Sequence, residues 1–156
     1  METEKIEAVA RKLWGNDLHK DTMAPVHNIQ LEHIFKKTWK NSLKGDLLEI
    51  GCGSGVDLAS FIDLNIFRSI TAIDLGKNVE EISAKYENNQ TINVHVGNAM
   101  NLEFESSAFD MVYSFGVFHH TSDPLKCFSE AHRVLREGGN LFLYLYSSHE
   151  KFFLKK

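Results

Sequence analysis

The sequence predicts an α/β domain built on a parallel sheet, and two observations carry that prediction. The stretch Leu47-Leu48-Glu49-Ile50-Gly51-Cys52-Gly53-Ser54-Gly55-Val56-Asp57-Leu58 passes from an apolar run through three closely spaced glycines into a helical segment. Further short apolar or β-branched runs then recur with helical stretches between them, the alternation that lays helices on the faces of a parallel sheet. Leu47, Leu48 and Ile50 suit a strand buried on both faces. Gly51, Gly53 and Gly55 let the backbone turn sharply and come close to a ligand with no Cβ in the way. Glu49 is the anomaly, because an ionised carboxylate among apolar residues is costly unless a cation or a hydrogen bond meets it.

In chain order, residues 3–14 carry Ile6, Val9, Ala10, Leu13 and Trp14 at helical spacing, and about Asn28 to Ser42 carries Leu31, Ile34, Phe35 and Trp39 on one face. Asn16, Asp17, Asp21, Thr22 and Pro25 mark the loop between them. Residues 1–44 are therefore expected to be a helical segment, either a layer on the sheet or a lid over the site, with residues 45–156 forming the core of a single domain. The first strand follows Gly45-Asp46, and a helix runs from Val56 to about Leu64. Ser69-Ile70-Thr71-Ala72-Ile73-Asp74 is the second strand, and its final acid lies about 20 residues beyond the first glycine. That is where this architecture places a carboxylate that accepts ribose hydroxyls. The competing reading of Asp74 is a turn or cap ahead of the helix Asn78 to Tyr86.

Thr91 to Val96 alternates as a third strand and ends at Gly97-Asn98-Ala99-Met100. After the polar loop Glu103 to Ser107, Phe109 to Phe115 reads as the fourth. The run Gly116-Val117-Phe118-His119-His120-Thr121-Ser122-Asp123-Pro124 follows it at the carboxyl edge, where open α/β sheets bind ligands. Asp123 and Pro124 have the order of a capping residue and a first-turn proline, and open a helix with Leu125, Phe128, Ala131, His132 and Leu135. Gly138-Gly139 is expected to end that helix, and Asn140 to Tyr146 is the fifth strand. Ser147 and Glu150 have capping-box spacing, so another helix is expected to begin there.

Composition narrows the function. At 156 residues one domain is expected, and 43% hydrophobic with 24% charged residues is ordinary for a soluble fold. A formal net charge of -4 gives no electrostatic footprint for nucleic acid. The two cysteines, Cys52 and Cys127, have neither disulfide-framework nor zinc spacing, and the eight histidines show no paired metal motif. With no signal peptide or long apolar run, the expectation is a cytoplasmic protein without metal or membrane partner.

The glycine spacing separates two nucleotide-binding classes. The dinucleotide fingerprint is G-x-G-x-x-G, whereas here the third glycine comes one position early and Val56 stands where that pattern wants glycine. Glu49-Ile50-Gly51-Cys52-Gly53-Ser54-Gly55 instead resembles the first motif of the class I S-adenosylmethionine-dependent methyltransferases, (D/E)-x-G-x-G-x-G, of the small-molecule, type 11-like kind. The run after the fourth strand and the phrase Arg133-Val134-Leu135-Arg136-Glu137-Gly138-Gly139 also resemble that family. The resemblance spans roughly residues 45–146 and implies a Rossmann-like three-layer sandwich with sheet order 3-2-1-4-5 and helices on both faces. The family's final antiparallel strand pair is missing, so the chain reads as truncated after the fifth strand.

The resemblance further implies S-adenosylmethionine as cofactor and a small-molecule acceptor. It assigns Glu49 to the cofactor's methionine ammonium, Gly51, Cys52 and Gly53 to the cradle, and Asp74 with Leu75 to the ribose. Asn98, Ala99 and Met100 face the adenine, and Ser114, Phe115 and Gly116 the methionine end. Asn98 departs from the acid of the family's G-D-A turn, and a plain turn asparagine is the other reading. His119 or His120 is a candidate general base, since histidine titrates near neutral pH, against packing and capping roles at the start of a helix. The glycine turn already explains Cys52 without a nucleophilic role. Two other functions compete: a catalytically inactive S-adenosylmethionine-binding or regulatory module, and a NAD-dependent oxidoreductase, which Val56 disfavours. A fifth strand at the sheet edge invites a homodimer, unless Phe152-Phe153-Leu154 covers it.

Overall fold

The computed structural model describes residues 45–145. The expected helices at 3–14 and 28–42, residue Tyr146, the helix from Ser147 and the apolar tail all lie outside the described residues. Five strands, β1 (Asp46–Ile50), β2 (Ser69–Asp74), β3 (Ile92–Val96), β4 (Phe109–Phe115) and β5 (Leu135–Tyr144), form one sheet of order β3-β2-β1-β4-β5. Every pairing is parallel. Helices α1 (Val56–Leu64), α2 (Asn78–Tyr86) and α3 (Pro124–Val134) connect them, with a 3-10 turn over Phe118–His120.

The sheet's two faces build two apolar clusters. Leu47 of β1 packs with Leu58 and Phe61 of α1 and Val79 and Ile82 of α2, whereas Leu48 and Ile50 pack with Cys127, Ala131 and Val134 of α3. Side chains alternate along a strand, so a central strand covered on both faces must be apolar at successive positions, as β1 is. Glu49 shares the face of Leu47, in register with Ala72 on β2 and Tyr113 on β4. Asp123 caps α3 by accepting from the Lys126 N–H at 2.9 Å, with Pro124 in the first turn.

The end of α3 differs from expectation. The helix stops at Val134 and β5 begins at Leu135, whose backbone is extended and pairs with Phe109. Gly138-Gly139 does not terminate the helix. The register instead jumps between Phe109 and Met111, and pairing resumes at Met111 with Asn140, so residues 136–139 bulge out of the ladder. Gly138 sits at φ 73, and a Cβ on Gly139 would come within 2.9 Å of the carbonyls of Arg136 and Asp110. Glycine is thus required here by a bulge rather than by a helix end. At this amino edge Arg136 pairs with Asp110 and Asp46, and Arg68 with Asp46, tying the strands together.

Candidate functional site

Because all five strands run the same way, the loops after β1, β2, β3 and β4 gather at one edge of the sheet. The N–H groups of Gly51 and Cys52 both donate to the Ile73 carbonyl, at 2.7 and 3.1 Å, which pulls the glycine turn against the end of β2. Gly51 has φ 83, and a Cβ there would strike Val117 at 2.2 Å. Gly53 is the opposite case: at φ 52 its added Cβ would meet nothing within 4 Å among the described residues, so among them the turn opens onto free space.

Asp74 faces that space. Its Oδ2 accepts from the Gly53 N–H at 2.8 Å and its Oδ1 from the Gly76 N–H at 2.6 Å. It does not cap α2, which begins at Asn78 behind Lys77. A carboxylate has about four acceptor sites, so two such bonds leave capacity for a pair of hydroxyls. Leu75 follows, half-buried, in the same loop.

Glu49 lies beneath the turn, 2% exposed, and its Oε2 has no hydrogen-bond partner among the described residues. Burial, then the negative charges of Asp57 and Asp74, push its carboxyl well above the usual range. Asp57, in the first turn of α1, accepts from the Tyr113 O–H at 2.8 Å across the buried face. Burial, then Asp57, raise that phenol too. Cys52 is buried, and burial with Glu49 and Asp74 keeps its thiol protonated.

After β3, Asn98 Oδ1 accepts from the Met100 N–H at 2.9 Å and the Asn98 carbonyl from the Asn101 N–H at 3.0 Å. One acceptor site of the amide oxygen is therefore spent on holding the turn, and Ala99 is buried behind it. After β4, Ser114 is fully buried and donates to the Ile50 carbonyl at 3.0 Å, Phe115 stacks on Tyr144 at 4.2 Å, and the Gly116 N–H donates to the Tyr144 carbonyl at 2.9 Å. These three groups are committed to the sheet through the atoms named. His119 and His120 follow on the 3-10 turn, with ring centroids 4.0 Å apart, His119 half-buried and His120 exposed. Burial holds both imidazoles below their ordinary pKa, and His120 adds to the effect on His119.

The sequence reading missed Asp57 and Tyr113, although an acid in a first helical turn and a tyrosine inside an apolar strand are both signals of a polar partner. It also missed Glu130 and Arg133, an i,i+3 pair whose bonds reach the loop between β3 and β4. A groove lined by Phe61, Asn65, Phe67 and Thr91 lies at the opposite edge and, among the described residues, carries no titratable side chain. No helix among the described residues is long and apolar enough to cross a membrane.

Known proteins resemble this arrangement. The Haloferax volcanii putative methyltransferase, solved in complex with the Trm112 methyltransferase activator, superposes with a TM-score of 0.69 over 88% of this chain and 58% of its own, at 21% identity. That likeness is one of fold. The YcgJ protein of Bacillus subtilis gives a TM-score of 0.62 at 26% identity over 74% of this chain and 49% of its own. In sequence, the ubiquinone biosynthesis O-methyltransferase of Xanthomonas oryzae pv. oryzae is 26% identical over 146 residues, 91% of this chain. The chain spans 59% of that relative's length. The family model described as "Methyltransferase domain" matches residues 48–143. That match runs from the middle of β1 into the last residues of β5 and so takes in the whole sheet edge just described, and the chain belongs to the methyltransferase domain family.

Proposed function

We propose that this chain forms the cofactor-binding core of an S-adenosylmethionine-dependent methyltransferase acting on a small-molecule acceptor. The observation that carries the proposal is Glu49: a buried carboxyl, one oxygen of which has no hydrogen-bond partner among the described residues, with its pKa raised by burial and by two further acids. S-adenosylmethionine, when bound, supplies a methyl group activated on a sulfonium, and it also carries an ammonium. Glu49 would hold that ammonium. Asp74 accepts the ribose hydroxyls with the acceptor sites that Gly53 and Gly76 leave. Gly51, Cys52 and Gly53 shape the cradle, Leu75 flanks the ribose, Asn98, Ala99 and Met100 form the adenine rim, and Ser114, Phe115 and Gly116 back the methionine end.

A displacement at carbon needs alignment and exclusion of water more than a protein nucleophile. The Cys52 thiol, held protonated, takes no such role. His119 or His120, kept neutral near pH 7, accepts a proton from the acceptor. The ubiquinone biosynthesis relatives are O-methyltransferases, which supports a hydroxyl acceptor and gives that base a task. A second copy of the chain is a further partner, supported by the edge position of β5 and the exposed Tyr144 and Leu145 beside it.

Calorimetric titration tests the core of the proposal. S-adenosylmethionine and S-adenosylhomocysteine are expected to bind and NAD is not. Binding of NAD in preference to both would overturn it. Transfer of labelled methyl into a panel of phenols and alcohols then reads out the acceptor class, with His119→Gln and His120→Gln expected to flatten the rise of the rate with pH on the acid side of neutrality.

A further inference from the structure

The geometry points to Glu130 and Arg133 as positioning residues for the adenine side of this site, an inference that rests on the cofactor reading above. The loop between β3 and β4 begins with Gly97 to Met100, and its later part, residues 102–108, has no regular structure to satisfy its backbone. Two side chains from the last turns of α3 do so instead. Glu130 Oε2 accepts from the Leu102 N–H at 2.8 Å, Arg133 Nη2 donates to the Leu102 carbonyl at 2.8 Å, and Arg133 Nη1 donates to the Phe104 carbonyl at 2.7 Å. Arg133 Nε and Nη2 also bond the Glu130 carboxylate, each at 2.9 Å, so the guanidinium plane is fixed before it meets the loop.

This arrangement uses the guanidinium's fork of fixed donors, which a lysine ammonium cannot reproduce. The guanidinium, and the N–H of Leu102, hold Glu130 ionised down to a pKa of about 2, so the clamp is closed at every physiological pH. Apolar packing does a different job. Ala99 and Leu102 are buried in one cluster with Ala131 and Val134 of the same helix. That contact sets how deep the loop sits, but it is non-directional and does not orient the peptide planes. The hydrogen bonds at Leu102 and Phe104 set the direction, two residues beyond Met100.

The loop that leads into α3 touches the same segment at its other end, where the Ser122 hydroxyl donates to Met100 Sδ at 3.3 Å. Glu49, Gly53 and Asp74 are held by none of these bonds. Loss of the clamp therefore disturbs recognition of the base and leaves recognition of the ribose and ammonium in place.

The test compares two ligands that differ only at the base, S-adenosylhomocysteine and S-inosylhomocysteine, in which an oxo group replaces the 6-amino group. Both are titrated calorimetrically into the wild-type chain, Arg133→Leu, Arg133→Lys and Glu130→Gln, with the melting temperature recorded for each. The wild type is expected to prefer the adenosyl ligand. Arg133→Leu is expected to bind that ligand roughly tenfold more weakly or worse, and the inosyl ligand nearly as before, as lost preorganisation of one subsite predicts. Arg133→Lys, which keeps the charge without the fork, falls between. If Arg133→Leu does not fold, Arg133→Lys and Glu130→Gln decide by the same ratio. A lower melting temperature with an unchanged adenosyl-to-inosyl ratio overturns the inference and leaves the pair a stabilising contact. A wild type that binds both ligands equally also overturns it, while one that binds neither sinks the cofactor reading itself.

Discussion

Replacing Asp74 with alanine separates its two tasks. In the structure its carboxylate accepts from the Gly53 and Gly76 N–H groups, at 2.8 and 2.6 Å, and the proposed ligand adds ribose hydroxyls to the same oxygens. A hydrogen bond to a charged group contributes about 1.5 to 3 kcal/mol, which at 1.4 kcal/mol per factor of ten is roughly a 10- to 150-fold loss of affinity for S-adenosylhomocysteine. Folding stability should fall by less. Gly53 and Gly76 are only half-buried, so water replaces the lost acceptor, and about 1 to 2 kcal/mol is expected for the two bonds together. Asp74→Asn, which keeps one acceptor oxygen, should lie between wild type and alanine on both scales. Calorimetry gives the affinity and urea unfolding the stability. An unchanged dissociation constant, with a native circular dichroism spectrum, would show that Asp74 only braces the glycine turn and would refute its role as the ribose acceptor.

Other substitutions probe neighbouring parts of the site. Gly53→Val places a β-branched side chain at φ 52, at a backbone cost of about 1 to 2 kcal/mol, and fills the open space above the turn, so cofactor affinity should drop far more than stability; normal binding refutes the cradle. Glu49 has a folded pKa above its unfolded value, so its contribution to stability is fully present below the unfolded value and is lost as pH rises through the folded one. Urea unfolding across pH should therefore show Glu49→Gln losing less stability than wild type toward alkaline pH, and identical slopes would contradict the raised pKa of Glu49. Tyr113→Phe removes a donor from the buried Asp57 and should cost about 1 to 3 kcal/mol in the same assay; a change near zero would mean that the contact contributes little.

The elements that the sequence alone determined are those specified by neighbours in the chain. The apolar runs of β1, β2 and β4, the glycine turn into α1 and the Asp123-Pro124 start of α3 all have local causes, namely side-chain periodicity, φ freedom and capping. The family motif adds the expected sheet order and the acid at the end of β2, and the fold agrees with both. Gly138-Gly139 shows where local reasoning stops. Glycines after a helical run suit a helix end and a strand bulge equally well, and only the pairing of Leu135 with Phe109 and of Asn140 with Met111 selects the bulge. The same holds for the polar groups around the site. Asp57 finds Tyr113 across 56 residues, Glu130 and Arg133 reach a loop about 30 residues earlier, and Asp74 bonds Gly53 only because β1 and β2 lie side by side. Hydrogen bonds are short-ranged and directional, so their partners are fixed by the packed sheet rather than by spacing along the chain. For the same reason Glu49 could be read as costly from sequence, but that one of its oxygens lies buried without a partner among the described residues was decided by the tertiary structure.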